Sequence, residues 1–138
     1  MNTVREQELI DLQSKLKFSF ATGEIWLGEN RMMLMHVAAM GAFRTEIIQS
    51  LGLERARGLL VRLGYASGVR DAELAKSLPS NDSPEAGIML GPALHSFKGM
   101  VRVEKRKLEM DIPNGKFAGE FIWENSWEAQ THLQQFGI

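Results

Sequence analysis

The sequence predicts an α+β domain in which a helical front half packs on a small antiparallel sheet, and three observations carry that expectation. Apolar residues recur at helical spacing between Arg31 and Ser67, residues 99–123 alternate in character around Asn114-Gly115, and Pro79-Ser80-Asn81-Asp82-Ser83-Pro84 separates the two patterns. With 138 residues, 44% of them hydrophobic, the chain has the size of one domain and enough apolar surface for a core.

The elements follow in order. Between Thr3 and Lys17, the residues Val4, Leu9, Ile10, Leu12 and Leu16 are spaced as on a helix that packs either on the domain's own core or on a partner, which makes residues 1–15 a candidate dimerisation arm. Phe18-Ser19-Phe20 alternates, Thr22-Gly23-Glu24 turns and Ile25-Trp26-Leu27-Gly28 is β-rich, which predicts a small hairpin over residues 16–28. A long helix is predicted from Arg31 to Leu51, with Met32, Met35, Ala39 and Ala42 on one face and Met33, Val37, Met40 and Arg44 on the next; so wide an apolar girdle predicts deep burial.

Gly52 is a natural stop. The next helix is predicted from Leu53 to Ser67, with Asp71 to Leu78 either continuing it past Gly68 or forming a separate piece. Gly58, Gly64, Ala66 and Gly68 recur along it. Each interior glycine costs about 1 kcal/mol against alanine, so another helix is expected close by, more often from the same chain than from a second copy.

Beyond the proline-rich loop, Ile88-Met89-Leu90 reads as a short apolar turn. Gly99 to Ile112 places Met100, Arg102 and Glu104 opposite Val101 and Val103 and then runs through Leu108, Met110 and Ile112, as one long half-buried strand or two joined by a bulge. Asn114-Gly115 is a hairpin signal, the returning strand puts Phe117, Gly119, Phe121 and Trp123 on one face, and Glu128 to Gln135 begins a terminal helix.

Composition excludes several functions. A net charge of −1 offers no electrostatic footprint for direct nucleic-acid contact, and without cysteine any metal site would rest on His36, His95, His132 and carboxylates. Met32 to Phe43 is too short to span a membrane, and the charged start, with Arg5, Glu6, Glu8 and Asp11, lacks the apolar segment of a secretory signal, which predicts a soluble cytoplasmic protein. No phosphate-binding loop, nucleophile elbow or zinc-protease motif occurs, and Ser96 is merely adjacent to His95, so the chain is predicted not to be an enzyme. Glu54, Asp71 and Glu73 lie among Arg55, Arg57, Arg62 and Arg70 and read as solvated helix faces. His36 reads as a satisfied core or interface histidine.

The chemistry centres on His95 and Trp123. Phe121 and Trp123 are expected to point inward with the Val101 and Val103 row, forming an apolar wall with few polar atoms. A neutral imidazole accepts one hydrogen bond and the indole N–H donates one, so a phenolic hydroxyl satisfies both. On spacing alone, however, such a pair is more often core than ligand contact.

Five motifs shift that balance. Gly23-Glu24-Ile25-Trp26-Leu27-Gly28-Glu29-Asn30-Arg31-Met32, Glu54-Arg55-Ala56-Arg57-Gly58, Gly64-Tyr65-Ala66-Ser67-Gly68 with Asp71-Ala72-Glu73-Leu74-Ala75, Gly91-Pro92 through Gly99, and Trp123 to Glu128 stand in family order over residues 16–128. Together they resemble the N-terminal sensory domain of the phenol- and xylene-responsive sigma-54-dependent activators of aromatic catabolism.

The resemblance implies transcription regulation by a domain that restrains an ATPase module until a small aromatic effector, such as phenol or a methylphenol, binds. It implies that His95 and Trp123 hold the effector hydroxyl, with Phe121 and Ile88 in the pocket wall. A histidine at position 95 favours phenolic effectors, because the xylene-type sensor carries tyrosine there. The family's wall residue at Ile88 is typically phenylalanine, its W-x-D-S-F-E motif reads Asn125 and Trp127 here, and its phenylalanine pair after the second motif is Leu59-Leu60.

On this comparison residues 16–138 are the first half of a two-part sensory domain, expected to form a homodimer. The family's zinc site lies in the second half, followed by the ATPase and helix-turn-helix domains, so no cofactor is expected within these 138 residues, nor ATP hydrolysis or promoter binding. The alternative reading is a truncated dimerisation or interaction module without useful ligand binding.

Overall fold

The computed structural model describes residues 11–78 and 83–137. After a helical turn at residues 11–14, strands β1 (Leu16–Ser19), β2 (Glu24–Leu27) and β3 (Asn30–Met32) form an antiparallel sheet in that order, with Leu16 opposite Leu27 and Ile25 opposite Met32. The predicted hairpin thus gains a third strand, and the helix expected from Arg31 begins only at Val37. Cross-strand chemistry explains the difference. Arg31 Nη1 lies 3.1 Å from Glu24 Oε1, its guanidinium sits 5.8 Å from the Trp26 ring centroid, and Trp26 Nε1 donates to Glu24 Oε2 at 3.1 Å. These contacts hold Arg31 extended against its helical periodicity.

Helices α1 (Val37–Leu51) and α2 (Leu53–Ser77) meet at Gly52, whose φ of +75° favours glycine. Helix α2 runs unbroken through Gly68, since none of Gly58, Gly64 and Gly68 takes a left-handed conformation. Where a short apolar turn is predicted, the chain instead forms helix α3 (Pro84–Phe97), so the back half is not purely β. The start of α3 supplies the reason. Ser83 is an N-cap whose Oγ accepts from the Ala86 N–H at 3.1 Å, Pro84 opens the first turn and Glu85 follows it, each favourable at a helix N-terminus.

Strands β4 (Arg102–Asp111) and β5 (Lys116–Glu124) form a separate hairpin, followed by helix α4 (Trp127–Phe136). At its tip Gly115, with φ +62°, donates to the Ile112 carbonyl at 3.0 Å. The register shifts between Lys105 and Lys107, and this bulge keeps Val103, opposite Trp123, on the same face as Met110, opposite Phe117. Arg102 pairs with Glu124 at 2.6 Å, and Arg106 with Glu120 at 3.1 Å.

The core joins four segments. Leu12, Leu27, Leu74 and Leu94 are buried together, with Leu16, Met32, Ala75, Leu78 and Phe97 packed against them. The turn at residues 11–14, the first sheet, the end of α2 and the last turn of α3 therefore share one apolar centre, where each fully buried leucine is worth about 1.5–3 kcal/mol. On α3, Met89, Leu90 and Ala93 are also buried, as are Val101 and Val103, and α3 packs on β4. Helix α4 closes on α1. A Cβ on the buried Gly41 would stand 2.7 Å from Thr131 Cγ2, and Arg44 Nη1 lies 3.1 Å from His132 Nδ1.

Two packing expectations are overturned. Met33, Leu34, Val37 and Phe43 are 72%, 77%, 51% and 54% exposed, so the methionine-rich segment is not deeply buried. Gly64 and Gly68 meet no atom within 4 Å of a notional Cβ, so the close packing expected there within the chain is not found among the described residues. The reason is common to both. Helices α1 and α2 touch each other, but α2 turns only Ala56 and Leu74 fully inward, while Leu53, Val61 and Tyr65 stay exposed. Most of the predicted N-terminal helix, and loop residues 79–82, lie outside the described residues.

Candidate functional site

Helix α3 ends in a way that fixes His95. Gly99, at φ +73°, donates to the Ser96 carbonyl at 3.1 Å, and the Met100 N–H donates to the His95 carbonyl at 3.1 Å. This paired arrangement is a Schellman motif, with Lys98 as the C-cap and His95 one turn before it. Ser96 is structural rather than nucleophilic. Its Oγ donates to the Pro92 carbonyl at 3.2 Å and accepts from the Val103 N–H at 3.3 Å, tying the last turn of α3 to the start of β4.

Val103 in turn lies opposite Trp123. The His95 and Trp123 rings consequently face each other at 6.1 Å between centroids, tilted by 43°. Two residues 28 positions apart in the chain are brought together by a helix end, one hydroxyl and one strand register. Among the described residues, neither the His95 ring nor the Trp123 indole N–H has a hydrogen-bond partner.

The wall around them differs from expectation. Trp123 is 62% exposed, so it does not point into an enclosed core; Phe121 and Ile88 are half-buried. Val103 beneath Trp123 is buried, but nothing in the described chain covers the outer face of the indole. Phe121 instead lies back along its strand, with a ring carbon 2.6 Å from where a Cβ on Gly119 would sit. Ile88 stands two helical turns before His95 and shares its side of α3.

His95 also lines a cleft of about 760 Å³. The cleft is walled by α1 and α2, through Phe43, Ile48, Leu60 and Gly64, and floored by Met100 and Trp127; Trp123, Phe121 and Ile88 do not line it. Asp71, read from sequence as part of a solvated face, reaches the cleft and accepts from Lys98 Nζ at 2.9 and 2.6 Å. Sequence reasoning missed this pair, because the helix that Lys98 caps is not legible in the sequence and its partner lies 27 residues away.

The other histidines stand apart from this site. His36 is the exposed N-cap of α1, and its carbonyl accepts from the Ala39 and Met40 N–H groups. His132 contacts Arg44 and stacks on Phe136 at 4.8 Å. Among the described residues no three histidine, aspartate or glutamate side chains are grouped to hold a metal, and no helix is long and apolar enough to cross a membrane.

Residues 11–111 match the sequence model of a family described as activator of aromatic catabolism. The chain belongs to that family. It is 40% identical over 133 residues to the phenol regulator MopR of Acinetobacter guillouiae, and 39% identical over 135 residues to the transcriptional regulatory protein XylR of Pseudomonas putida. These alignments cover 96% and 98% of this chain but 24% of each of those proteins. Among solved structures, the phenol-responsive sensory domain of the transcription activator PoxR, crystallised with phenol, superposes with a TM-score of 0.91 at 46% identity, covering 100% of this chain and 69% of that one. Membership in the activator of aromatic catabolism family thus extends to the fold, which is the α+β architecture of a sensory domain.

Proposed function

We propose that this chain is the effector-sensing part of a transcriptional activator of aromatic catabolism, and that it holds a phenol-type molecule between His95 and Trp123. The carrying observation is that the His95 and Trp123 rings lie 6.1 Å apart between centroids, with the imidazole and the indole N–H unpartnered among the described residues, in a chain 46% identical to a phenol-responsive sensory domain. A phenolic hydroxyl donates to the imidazole nitrogen and accepts from the indole N–H, while Phe121 and Ile88 offer apolar contact to the ring. The role is regulation rather than catalysis. Sigma-54 dependence, a cytoplasmic location and control of an ATPase module belong to the same proposal, as does the absence of a cofactor from these residues.

A homodimer is part of the reading. The exposed apolar residues of α1 and α2, and the open surface at Gly64 and Gly68, favour a second copy there. The same surface keeps alive a second reading, an interaction module that dimerises without useful ligand binding.

Isothermal titration of the 138-residue chain separates the two. A site built around a hydroxyl should prefer phenol to toluene by roughly 5- to 150-fold, the equivalent of about 1–3 kcal/mol for a polar group left unsatisfied. Equal affinity for both ligands, or no phenol binding by a chain that sediments as a dimer, would favour the interaction module.

A further inference from the structure

The ion pair between Asp71 and Lys98 stands apart from the other ion pairs seen among the described residues. Both side chains are largely buried, at 16% and 19% exposure, whereas each partner of the remaining pairs is at least 31% exposed. It also joins distant elements. Asp71 sits in the second half of α2, one turn before the core residue Leu74, and Lys98 caps α3 one turn after His95. A cation at that helix end is further favoured by the helix dipole, and residues three apart on a helix share a face. The pull of Asp71 on Lys98 therefore acts on the turn that carries the imidazole. Arg70, the residue next to Asp71, does not compete for the pair, being engaged by Glu73 at 2.9 Å.

We propose that Asp71 and Lys98 are positioning residues for the effector site, holding the last turn of α3 at the rotation that sets His95 opposite Trp123. The inference rests on the proposed role of His95 in effector binding. Neither side chain needs to touch the ligand. With both carboxylate oxygens on one ammonium, the pair resists rotation of the turn from the α2 side, while Ser96 and the Schellman hydrogen bonds fix it from the β4 side. Removing the clamp leaves the helix formed and the imidazole less well aimed.

The test uses the whole 138-residue chain, with phenol titrated calorimetrically and the His95 ring nitrogens followed by NMR without ligand. Asp71→Asn and Lys98→Met should each weaken phenol binding by about tenfold and move or broaden the His95 ring signals, and Lys98→Arg should restore both readouts. Unchanged affinity and unchanged ring signals in folded Asp71→Asn would overturn the proposal. If Asp71→Asn does not fold, Asp71→Glu decides, because a carboxylate displaced by one methylene must still shift the ring signals. A wild-type chain that fails to bind phenol would sink the effector site, while the ring signals would still show independently whether the pair positions His95.

Discussion

Replacing Gly99 with alanine probes the helix end that aims His95. At φ +73° an L-residue brings its Cβ against its own backbone, at a cost of roughly 1–2 kcal/mol. No other contact enters the sum, because a Cβ at this position meets no atom within 4 Å. Alanine also narrows the unfolded ensemble, which offsets about 0.4–1 kcal/mol. The net expectation is a loss of about 1 kcal/mol, equivalent to about 3–4 °C in Tm for a domain of this size. Urea denaturation followed by circular dichroism measures it, and Gly64→Ala provides the control. Gly64 is also open to 4 Å but helical, so alanine there should stabilise the isolated chain by about 1 kcal/mol. The two alanines should therefore move the midpoint in opposite directions. A Gly99→Ala protein as stable as the wild type would refute the Schellman geometry and with it the account of how His95 is held.

Further consequences follow from the packing. Gly41→Ala forces a Cβ to 2.7 Å from Thr131 Cγ2 and should destabilise by about 1–3 kcal/mol before any helix-propensity gain; Thr131→Ser, which deletes that methyl group, should relieve most of the penalty in a double-mutant cycle. Leu94→Ala, at a fully buried position, should cost about 2–5 kcal/mol in chemical denaturation, whereas Leu53→Ala, at 61% exposure, should have little effect on a monomer. If α2 is the dimer surface, Leu53→Ala and Tyr65→Ala should weaken self-association in sedimentation equilibrium while leaving the circular dichroism spectrum unchanged.

The α+β class, the Gly52 helix stop and the β4–β5 hairpin are all legible in the sequence, whereas the run of α2 past Gly68 is left open by it. The bulge is legible too. Apolar residues change parity between Val101 and Val103 on one side and Leu108 and Met110 on the other, and only an extra residue keeps both sets on one face. Helix α3 is obscured by Gly87, Gly91 and Pro92, although Ser83, Pro84 and Glu85 mark its start by capping rather than by periodicity. Strand β3 escapes because Met32, Met33 and Met35 fit a helical stripe, and only the pairing of Arg31 with Glu24 and Trp26 selects the extended form. Asp71 and Lys98 are 27 residues apart, and no local pattern discloses such a pair. His95 and Trp123 can be named from motif resemblance, but their approach depends on the Ser96 to Val103 hydrogen bond, which is a tertiary fact.

The central claim is that one ligand hydroxyl satisfies both His95 and Trp123. The most direct measurement is phenol affinity, by titration calorimetry, of the wild-type chain, His95→Ala, Trp123→Phe and the double variant, with toluene as reference ligand. The account predicts that each single change weakens phenol by roughly tenfold or more, that the two losses are not additive, and that toluene affinity changes little with Trp123→Phe. Phenol binding that survives both substitutions undiminished would contradict it.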